Sequence, residues 1–418
     1  MIFTLDVRRA RKGDCLILHY GSKNDPGLAL IDGGPSNVYK PHLKPRLAEI
    51  SKARGLAAGA PLPVDMLMVS HIDDDHINGV LELTKELIET QGPLPLKIKG
   101  LWHNTFDDII GNDPKELTAA VTASFGPASL AGEPDVDGLD PDAAKVLASV
   151  SQGFRLRDDA KALKLRINPD FKGELILAKK KGKPIDVGKG MKITVIGPMH
   201  DEVVALQKDH DTFLKKQEQE KKTSGALASF TDTSVANLSS VVVLAEVGKK
   251  RILFTGDARG DKVLEGLELA GLLKADGKST IHVDILKGPH HGSDRNVDPI
   301  FFRRITADHY VFSGNGEHGN PERETLQMLL DERGKEKFTI HLTYPIDEID
   351  VGRKADWEKE QNKEKAKKIK NPKVKVRPNW SPQKNSLTSF FATNKAFAKK
   401  VVIVDEKKPH LINLLDEI

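Results

Sequence analysis

Short apolar runs recur along the chain, and most of them are closed by glycine or polar residues. Eight such runs are "CLILHY", "LALIDGG", "DMLMVSH", "KITVIGP", "SSVVVLAEV", "RILFTGD", "VDILKGPHHG" and "HYVFSGNG". Runs of this length that end in turn residues are typical of buried strands. Helical patterns such as "NGVLELTKELIET" and "PERETLQMLLDERG" lie between them. Strands that alternate with helices predict layers of an α/β fold rather than an all-β domain.

Two stretches interrupt this pattern. Residues 106–190 carry few strand signals and include the acidic, Gly/Pro-rich loop "AGEPDVDGLDPDAA", so we expect an inserted, mostly helical cap there. The stretch "LKKQEQEKKTSGALASFTDTS" is expected to be a second exposed excursion. The predicted organisation is one large domain over residues 1–345, with the insertion at about 106–190, followed by a basic C-terminal extension over residues 346–418.

The bulk composition narrows the class of protein. With 418 residues, 39% hydrophobic and 30% charged, the chain can bury a large core and is not of the disordered type. Its one cysteine, Cys15, excludes an internal disulfide and a Cys-rich zinc site, and we expect it to be a small buried residue at the start of a strand. No apolar run approaches the roughly 20 residues that span a bilayer, and the first residues lack the apolar core of a secretion signal. We therefore expect a cytoplasmic protein without a membrane partner.

The net charge of +4 is small, but its distribution is uneven. Residues 353–377 contain 11 Lys or Arg and 4 Asp or Glu, which leaves a local excess of seven positive charges. One interpretation is a solvated helix of mixed charge, "DWEKEQNKEKAKKIK". The other is a patch that faces the phosphates of a nucleic acid.

The densest group of chemically active side chains follows the apolar run "VDMLMV". The stretch "VSHIDDDHINGV" places two histidines and three consecutive aspartates between His71 and His76. Asp and His are also ordinary turn and helix-cap residues, but the spacing H-x-D-x-D-H directly after a predicted strand favours a metal site. Two further strands end in candidate ligands, "ILFTGDA" and "DILKGPHHGS". A fourth strand ends in Asp32, which could support the ligands from behind.

With these motifs in this order, the chain resembles the metallo-β-lactamase superfamily over about residues 3–330. The resemblance is greatest to the hydrolase domain of the competence protein ComEC and its soluble relatives. That branch has H-x-D-x-D-H where most relatives have H-x-H-x-D-H, and it is similar to this chain in "KGDCLIL", "IDGG", "TGDA", "LKGPHHGS" and "SGNGEHGNP". The resemblance implies a four-layer αβ/βα sandwich with a metal centre, usually of two zinc ions, between the edges of the two sheets.

The resemblance also implies a set of metal ligands. One ion would be held by Asp75, His76 and His291, and the other by His71 and Asp73. Asp257 would bridge the two ions. Carboxylate oxygens and imidazole nitrogens are suitable donors for zinc or for a harder divalent ion. A bridging carboxylate lowers the repulsion between two cations and can hold them roughly 3.5–4 Å apart.

The chain departs from the pattern of the superfamily at two ligand positions. Asp73 replaces the usual second histidine, and the middle histidine of the superfamily has no counterpart; Asn237, 20 residues before Asp257, is the best match. Since an amide oxygen is a weak ligand for zinc, we expect the site at His71 and Asp73 to bind its ion loosely or to favour manganese. The expected content is one or two Zn²⁺ per chain, with Mn²⁺ as an alternative.

Three other histidines are assigned less directly. His290 and His291 cannot be ordered from the sequence, and we choose His291 as the ligand and His290 as a contact for the oxyanion or leaving group of the substrate. His318, in "GNGEHGNP", is either a general acid or an ordinary loop histidine. His103 is expected to pack beside Trp102 rather than to bind metal.

The function that we predict is that of a metal-dependent phosphodiesterase, most specifically a nuclease. A metal-bound hydroxide oriented by Asp75 would attack the phosphorus, and His290 or His318 would assist the leaving oxygen. The alternative is a hydrolase of small substrates, such as a phosphoesterase, lactonase, lactamase or thioesterase. A non-catalytic binding module that has kept the fold is a third hypothesis. A nucleic acid is thus a possible substrate, and the sequence leaves the oligomeric state open.

Overall fold

The computed structural model of the protein describes residues 1–104, 141–204 and 239–418, and for residues 141–151 it describes the backbone alone. Within these ranges, each of the eight apolar runs contains a strand, and both helical patterns form helices. The predicted α/β class is therefore confirmed. Residues 106–140 of the predicted insertion and all of the second predicted excursion lie outside the described residues.

The first sheet has seven strands in the described part of the chain, in the order β17-β1-β2-β3-β5-β7-β8. These strands are β1 (Ile2–Val7), β2 (Leu16–Gly21), β3 (Pro26–Ile31), β5 (Met66–Met68), β7 (Gly100–Trp102), β8 (Arg166–Ile167) and β17 (Leu411–Asn413). The strands from β17 to β3 pair antiparallel, and those from β3 to β8 pair parallel. β4 (Leu62–Val64) and β6 (Leu96–Ile98) form a separate parallel pair.

The second sheet has eight described strands, in the order β16-β15-β14-β13-β12-β11-β10-β9. These strands are β9 (Ile185–Gly188), β10 (Met191–Gly197), β11 (Val242–Val247), β12 (Lys250–Phe254), β13 (Ile281–Lys287), β14 (Ile305–Phe312), β15 (Thr339–Leu342) and β16 (Val401–Ile403). The strands from β9 to β12 pair antiparallel, and those from β12 to β16 pair parallel.

Helices connect or cover these strands. They are α1 (Lys44–Ala53), α2 (Asp74–Glu89), α3 (Pro141–Ala162), α4 (Gly260–Leu269), α5 (Pro299–Arg304), α6 (Arg323–Arg333), α7 (Ile346–Lys370), α8 (Pro382–Asn385), α9 (Leu387–Thr393) and α10 (Lys395–Ala398). In the described part of the chain there are also a π-helical turn at Tyr39–Leu43 and short 3₁₀ turns at Pro169–Phe171, Pro289–Gly292 and Glu317–Gly319. Among the described helices, none is both long enough and apolar enough to span a lipid bilayer.

Three apolar clusters hold these elements together. One cluster combines side chains of both sheets, for example Leu18 of the first with Ile252 and Ile285 of the second, so the two sheets pack on each other. A second cluster packs α1, α2 and α3 on the first sheet, and a third packs helices from α4 onward on the second sheet. Because the central strands are covered on both faces, their sequences are nearly continuous apolar runs.

The last part of the chain contributes to both sheets. β16 extends the second sheet beside β15, and β17 pairs with β1 at the edge of the first sheet. Between them, the start of α7 packs tightly on the "SGNGEHGNP" loop: a Cβ at Gly316 would lie 2.0 Å from the carbonyl oxygen of Ile349. The guanidinium of Arg353 donates to the carbonyls of Gly319 and Pro321. The start of the basic segment, residues 353–377, is therefore held against the rest of the fold.

A row of three histidines crosses between the sheets near this edge. Nδ1 of His309 lies 3.0 Å from Nε2 of His341, whose Nδ1 lies 2.8 Å from Nε2 of His410. His309 and His341 belong to β14 and β15, while the carbonyl of His410 accepts from the backbone N–H of Val7 in the first sheet. Burial lowers the pKa of all three rings, and with its two histidine neighbours it lowers the pKa of His341 to about 3. The three rings are therefore neutral at pH 7.

This row of histidines should make the protein less stable in mild acid. The pKa of His341 is lower in the folded than in the unfolded chain, so its stabilising effect is complete above about pH 6.5 and is lost progressively as the pH falls toward 3. Between pH 7.5 and 5.5, His341 alone should lower the free energy of unfolding by about 1 kcal/mol. The free energy of unfolding, measured by urea denaturation at both pH values, should therefore change less with pH in His341→Gln than in the wild type. The exposed His282→Gln is the control, and equal pH dependence in the wild type and His341→Gln would contradict this assignment.

Candidate metal centre

The candidate ligands gather because parallel strands of both sheets end at one place. Asp32 follows β3 and His71 follows β5, its parallel neighbour in the first sheet. Asp257 follows β12 and His291 follows β13, which are parallel neighbours in the second sheet. The carboxyl ends of parallel neighbours share an edge, so the predicted convergence of strand ends has a simple topological cause.

Asp75 and His76 are fixed by the first turn of α2. The loop "KGD" passes so close to this turn that a Cβ at Gly13 would lie 1.8 Å from the carbonyl oxygen of Asp75. The backbone N–H of Asp14 donates to that carbonyl at 3.2 Å, and the N–H of Gly33 donates to the carbonyl of His76 at 2.8 Å. The glycines of "KGDC" and "IDGG" therefore allow two loops to hold the start of the helix.

Several buried side chains lie close together at these strand ends. Oδ1 of Asp257 lies 3.0 Å from Nε2 of His76 and 3.3 Å from Nε2 of His291. Nε2 of His291 also lies 3.7 Å from Oδ2 of Asp75. His76, Asp257 and His291 of the sequence-based choice therefore come together, while Asp75 lies beside His291 but outside the group whose ligand atoms lie within 4.8 Å of one another.

The hydrogen bonding of the atoms that face one another is incomplete within the described residues. Nε2 of His76, Oδ1 of Asp257 and Nε2 of His291 are buried, and in the described part of the chain none of them makes a hydrogen bond of good geometry. Buried polar atoms almost always have a partner, so three that face one another require an explanation. A buried group of Asp14, His76, Asp257 and His291, with ligand atoms within 4.8 Å of one another, could hold a metal ion.

The charged side chains of the centre shift one another's pKa values. Burial opposes ionisation of Asp257, but His290, His76 and His291 together hold the pKa of its carboxyl well below the ordinary range. Burial likewise opposes protonation of His76, while the carboxylates of Asp257 and Asp32 raise its pKa well above 6.5. A proton on His76 thus offsets part of the negative charge of these carboxylates. A divalent cation could take over that role, since metal binding to such ligands releases protons.

Both central histidines are supported at their other ring nitrogen. Nδ1 of His76 lies 2.9 Å from Oδ2 of Asp32, and Asp32 accepts from the backbone N–H of Ser70 at 2.7 Å. Nδ1 of His291 lies 3.2 Å from the hydroxyl of Ser313 and 3.5 Å from Oδ1 of Asp14. A carboxylate at Nδ1 keeps the proton there and leaves Nε2 free for a metal. The expected supporting position of Asp32 agrees with this arrangement.

Sequence reasoning missed Asp14, Ser313 and Asn296. Asp14 precedes β2, which runs antiparallel to β3, so it arrives at the edge where the parallel strands end. The signal was present in "KGDCLIL", where a charged residue stands directly before an apolar strand. Ser313 and Asn296 carry no comparable signal, because serine and asparagine are common in any loop.

His290 and His291 lie in a strained turn. Their φ angles are 44° and 55°, in the left-handed region that non-glycine residues seldom adopt, and Gly292 follows with φ 89°. The turn sends the two rings to different oxygens of Asp257. His291 faces Oδ1, whereas Nε2 of His290 lies 3.5 Å from Oδ2. The His290 side chain is 26% exposed against 1% for His291, and its Nδ1 lies 3.0 Å from Oδ1 of Asn296.

His71 and Asp73 are buried beside this centre. The His71 ring lies edge-on to that of His76, with the ring centroids 5.8 Å apart. The backbone N–H of Asp73 donates to Nδ1 of His71 at 3.1 Å, and Oδ1 of Asp73 lies 3.5 Å from the same nitrogen. These two residues are not in the buried group whose ligand atoms lie within 4.8 Å of one another. Asn237, the proposed counterpart of the middle histidine, lies outside the described residues.

Three remaining predictions concern single residues. His318 lies in the exposed 3₁₀ turn after β14, with φ 58°. His103 is buried next to Trp102 in sequence, and its burial lowers the pKa of its ring to about 4. Cys15 is buried directly before β2, where burial raises the pKa of its thiol to about 12.

Comparison with known proteins gives little further guidance. No protein-family model matches the chain. Microtubule-associated protein 1A of Homo sapiens and that of Mus musculus are each 33% identical to it over 86 residues, which is 20% of this chain and 3% of the relative. The Rattus norvegicus protein is 34% identical over 79 residues, which is 18% of this chain and 3% of that protein. The chain therefore spans only a small fraction of the curated relatives it matches.

Proposed function

We propose that the protein is a metal-dependent hydrolase of the metallo-β-lactamase type. The observation that carries this proposal is the convergence of three buried ligand atoms, on His76, Asp257 and His291, that make no hydrogen bond of good geometry within the described residues. Two sheets that pack on each other, each with helices on its outer face, support the four-layer αβ/βα sandwich that the sequence motifs imply. The single cysteine supports a reducing compartment such as the cytoplasm.

The residues present fit a divalent ion. His76, His291, Asp257 and Asp75 would hold one ion, and nitrogen and carboxylate donors of this kind suit zinc, with manganese as an alternative. A second, weaker ion is proposed beside His71 and Asp73. When bound, such ions lower the pKa of water and neutralise the charge that develops on a phosphoryl or acyl oxygen.

The side chains of this chain have separable roles in the proposed reaction. Asp75 is buried and surrounded by His76 and His291, which outweigh burial and its acidic neighbours, so the pKa of its carboxyl is lowered and it can accept a hydrogen bond from the attacking water. His290 is the more exposed of the two adjacent histidines and lies where it can contact the leaving oxygen. His318, in the exposed turn after β14, is kept as a second candidate for that contact.

We favour a phosphodiester, in particular a nucleic acid, as the substrate. The support is the excess of lysines in α7 and the residues that follow it. The start of α7 packs against the "SGNGEHGNP" loop. Ser313, at the start of that loop, contacts His291. A small-molecule hydrolase with the same centre is the alternative.

The deciding experiment is a panel of substrates assayed with added Mn²⁺ or Zn²⁺: linear and circular DNA, RNA, bis-p-nitrophenyl phosphate and nitrocefin. Cleavage of only the last two would replace the nuclease by the alternative, and no cleavage would leave a binding module.

The basic segment must be tested by substitution, because removing the chain after Asp350 would also remove β16 and β17. Lys367, Lys368 and Lys370 are exposed at the end of α7, so changing all three to Gln should remove three phosphate contacts without disturbing the core. The affinity of the wild type for duplex DNA should then fall roughly 40-fold more than that of the variant between 50 and 200 mM salt.

Fluorescence anisotropy with a labelled duplex would measure both salt slopes. The matched control changes Lys179, Lys180 and Lys183 to Gln, since these lysines are also exposed and close in sequence but lie outside the basic segment. If the two triple variants have the same salt slope, the lysines of α7 form only a solvated face.

A further inference from the structure

A buried ion pair lies behind His291. Nζ of Lys287 is 2.7 Å from Oδ2 of Asp14, and the two side chains are 1% and 2% exposed. The ammonium also donates to the carbonyl of Gly288 at 2.9 Å. Lys287 is the last residue of β13, whose remaining inward and outward side chains are mostly apolar. A buried ion pair is weak evidence for stability, because desolvation costs about as much as the attraction returns. Its presence here therefore calls for another reason.

Asp14 connects this lysine to the candidate ligand. Its Oδ1 accepts a hydrogen bond from the hydroxyl of Ser313, and that hydroxyl lies 3.2 Å from Nδ1 of His291. The same oxygen is 3.5 Å from Nδ1. Three chain segments meet in this contact: the loop before β2, the end of β13 and the residue after β14. The ion pair consequently joins the two sheets at the back of one ligand.

Asp14 contacts the ring nitrogen of His291 that does not face Asp257. The two nitrogens of an imidazole point in divergent directions, and Nε2 faces Asp257 and Asp75 while Nδ1 faces Asp14 and Ser313. Both carboxylate oxygens of Asp14 already have partners. Asp14 belongs to the group that could hold an ion, because one of its carboxylate oxygens lies within 4.8 Å of the ligand atoms of His76, Asp257 and His291. Since both of its oxygens are engaged by Lys287 and Ser313, they favour a support for His291 over a ligand.

We propose that Asp14 and Lys287 are positioning residues for His291, in a centre whose metal rests on the proposed function above. Lys287 holds Asp14 in place and balances its charge. Asp14, together with the Ser313 hydroxyl, fixes the proton of His291 on Nδ1 and turns Nε2 toward Asp257. His76 has a support of a different kind, since Asp32 is held there by the N–H and hydroxyl of Ser70.

The test separates positioning from stability. Asp14→Asn, Lys287→Met, the double variant and Ser313→Ala are compared by titrating the metal-free protein with Co²⁺, whose absorption spectrum reports the ligands, and by thermal unfolding of the metal-free form. Each single variant of the pair leaves a buried partner unmatched and should lower both the melting temperature and the Co²⁺ affinity. The double variant should regain most of the melting temperature, because the unpaired charge is gone. Its Co²⁺ affinity should stay 10- to 100-fold below that of the wild type.

Two other results would overturn the proposal. Recovery of Co²⁺ affinity together with stability in the double variant would make the pair purely structural and overturn the proposal. Wild-type affinity in Ser313→Ala beside a loss in the double variant would make Asp14 a direct ligand, which also overturns it. Asp6→Asn, which breaks the buried contact with Arg46 at 2.6 Å, is the matched control and should lower stability without changing Co²⁺ affinity. If Asp257→Asn binds Co²⁺ as the wild type does, the metal centre itself is wrong, independently of Asp14 and Lys287.

Discussion

In the proposed metal-dependent hydrolase, Asp257→Asn should lose most of the bound metal and slow hydrolysis by roughly 10³-fold or more, because several kcal/mol of barrier lowering would depend on the ion. The carboxylate of Asp257 adjoins three imidazole rings: Oδ1 faces His76 and His291, and Oδ2 faces His290. An asparagine keeps the shape of this side chain but removes the charge, and an amide oxygen is a poor ligand for zinc. Metal content would be measured by elemental analysis of the purified protein, and rates would be measured on the substrate that the panel identifies.

The control for this prediction is Asp284→Asn. Asp284 is a buried aspartate of β13 whose carboxylate contacts Nζ of Lys250 at 2.6 Å, and it is not part of the centre. This control variant should keep its metal while losing some stability. Full metal content in Asp257→Asn would exclude Asp257 as a ligand, and an equal loss in both variants would point to a general effect of changing a buried aspartate in this sheet.

The position of the central ligands could be predicted because each comes shortly after a short apolar run. A strand that is buried on both faces has an unmistakable sequence, and the first polar residue after it must lie at the edge of the sheet. Asp257 and His291 were found in this way, and the density of ligands between His71 and His76 gave the third point. What the sequence could not supply was which carboxylate supports which ring, because that depends on the distance between loops remote in the chain.

The features that were missed share one physical cause. Asp14 and Ser313 are 299 residues apart, and only the packing of one sheet on the other brings them together. The row of His309, His341 and His410 likewise joins residues of separate strands. β16 and β17 were not predicted as strands, since three-residue edge strands with partly exposed side chains have no apolar periodicity. Local patterns report local structure, and these contacts are all non-local.

The proposed role of Asp75 predicts a loss of rate that exceeds the loss of metal. Oδ2 of Asp75 lies 3.7 Å from Nε2 of His291, which is farther than Oδ1 of Asp257 at 3.3 Å. When Asp75 is changed, the closer set of His76, His291 and Asp257 can therefore still hold an ion. Asp75→Asn keeps an acceptor oxygen but loses the charge that orients the attacking water. We expect kcat to fall on the order of 10³-fold at saturating metal, with Co²⁺ affinity reduced by no more than about 10-fold.

The neighbouring Asp74→Asn is the matched control for this last prediction. Asp74 begins the same helix, but its side chain is 39% exposed and faces Lys12, with Oδ2 3.2 Å from Nζ, rather than the centre. Both substitutions remove one negative charge from the first turn of α2, so any general effect on the helix appears in both variants. A rate loss confined to Asp75→Asn would therefore belong to the reaction. If Asp75→Asn keeps the wild-type kcat at saturating metal, Asp75 is a metal ligand and has no part in the chemical step. The reason is that added metal can compensate for the loss of a carboxylate that only binds the ion, but not for the loss of one that orients the water.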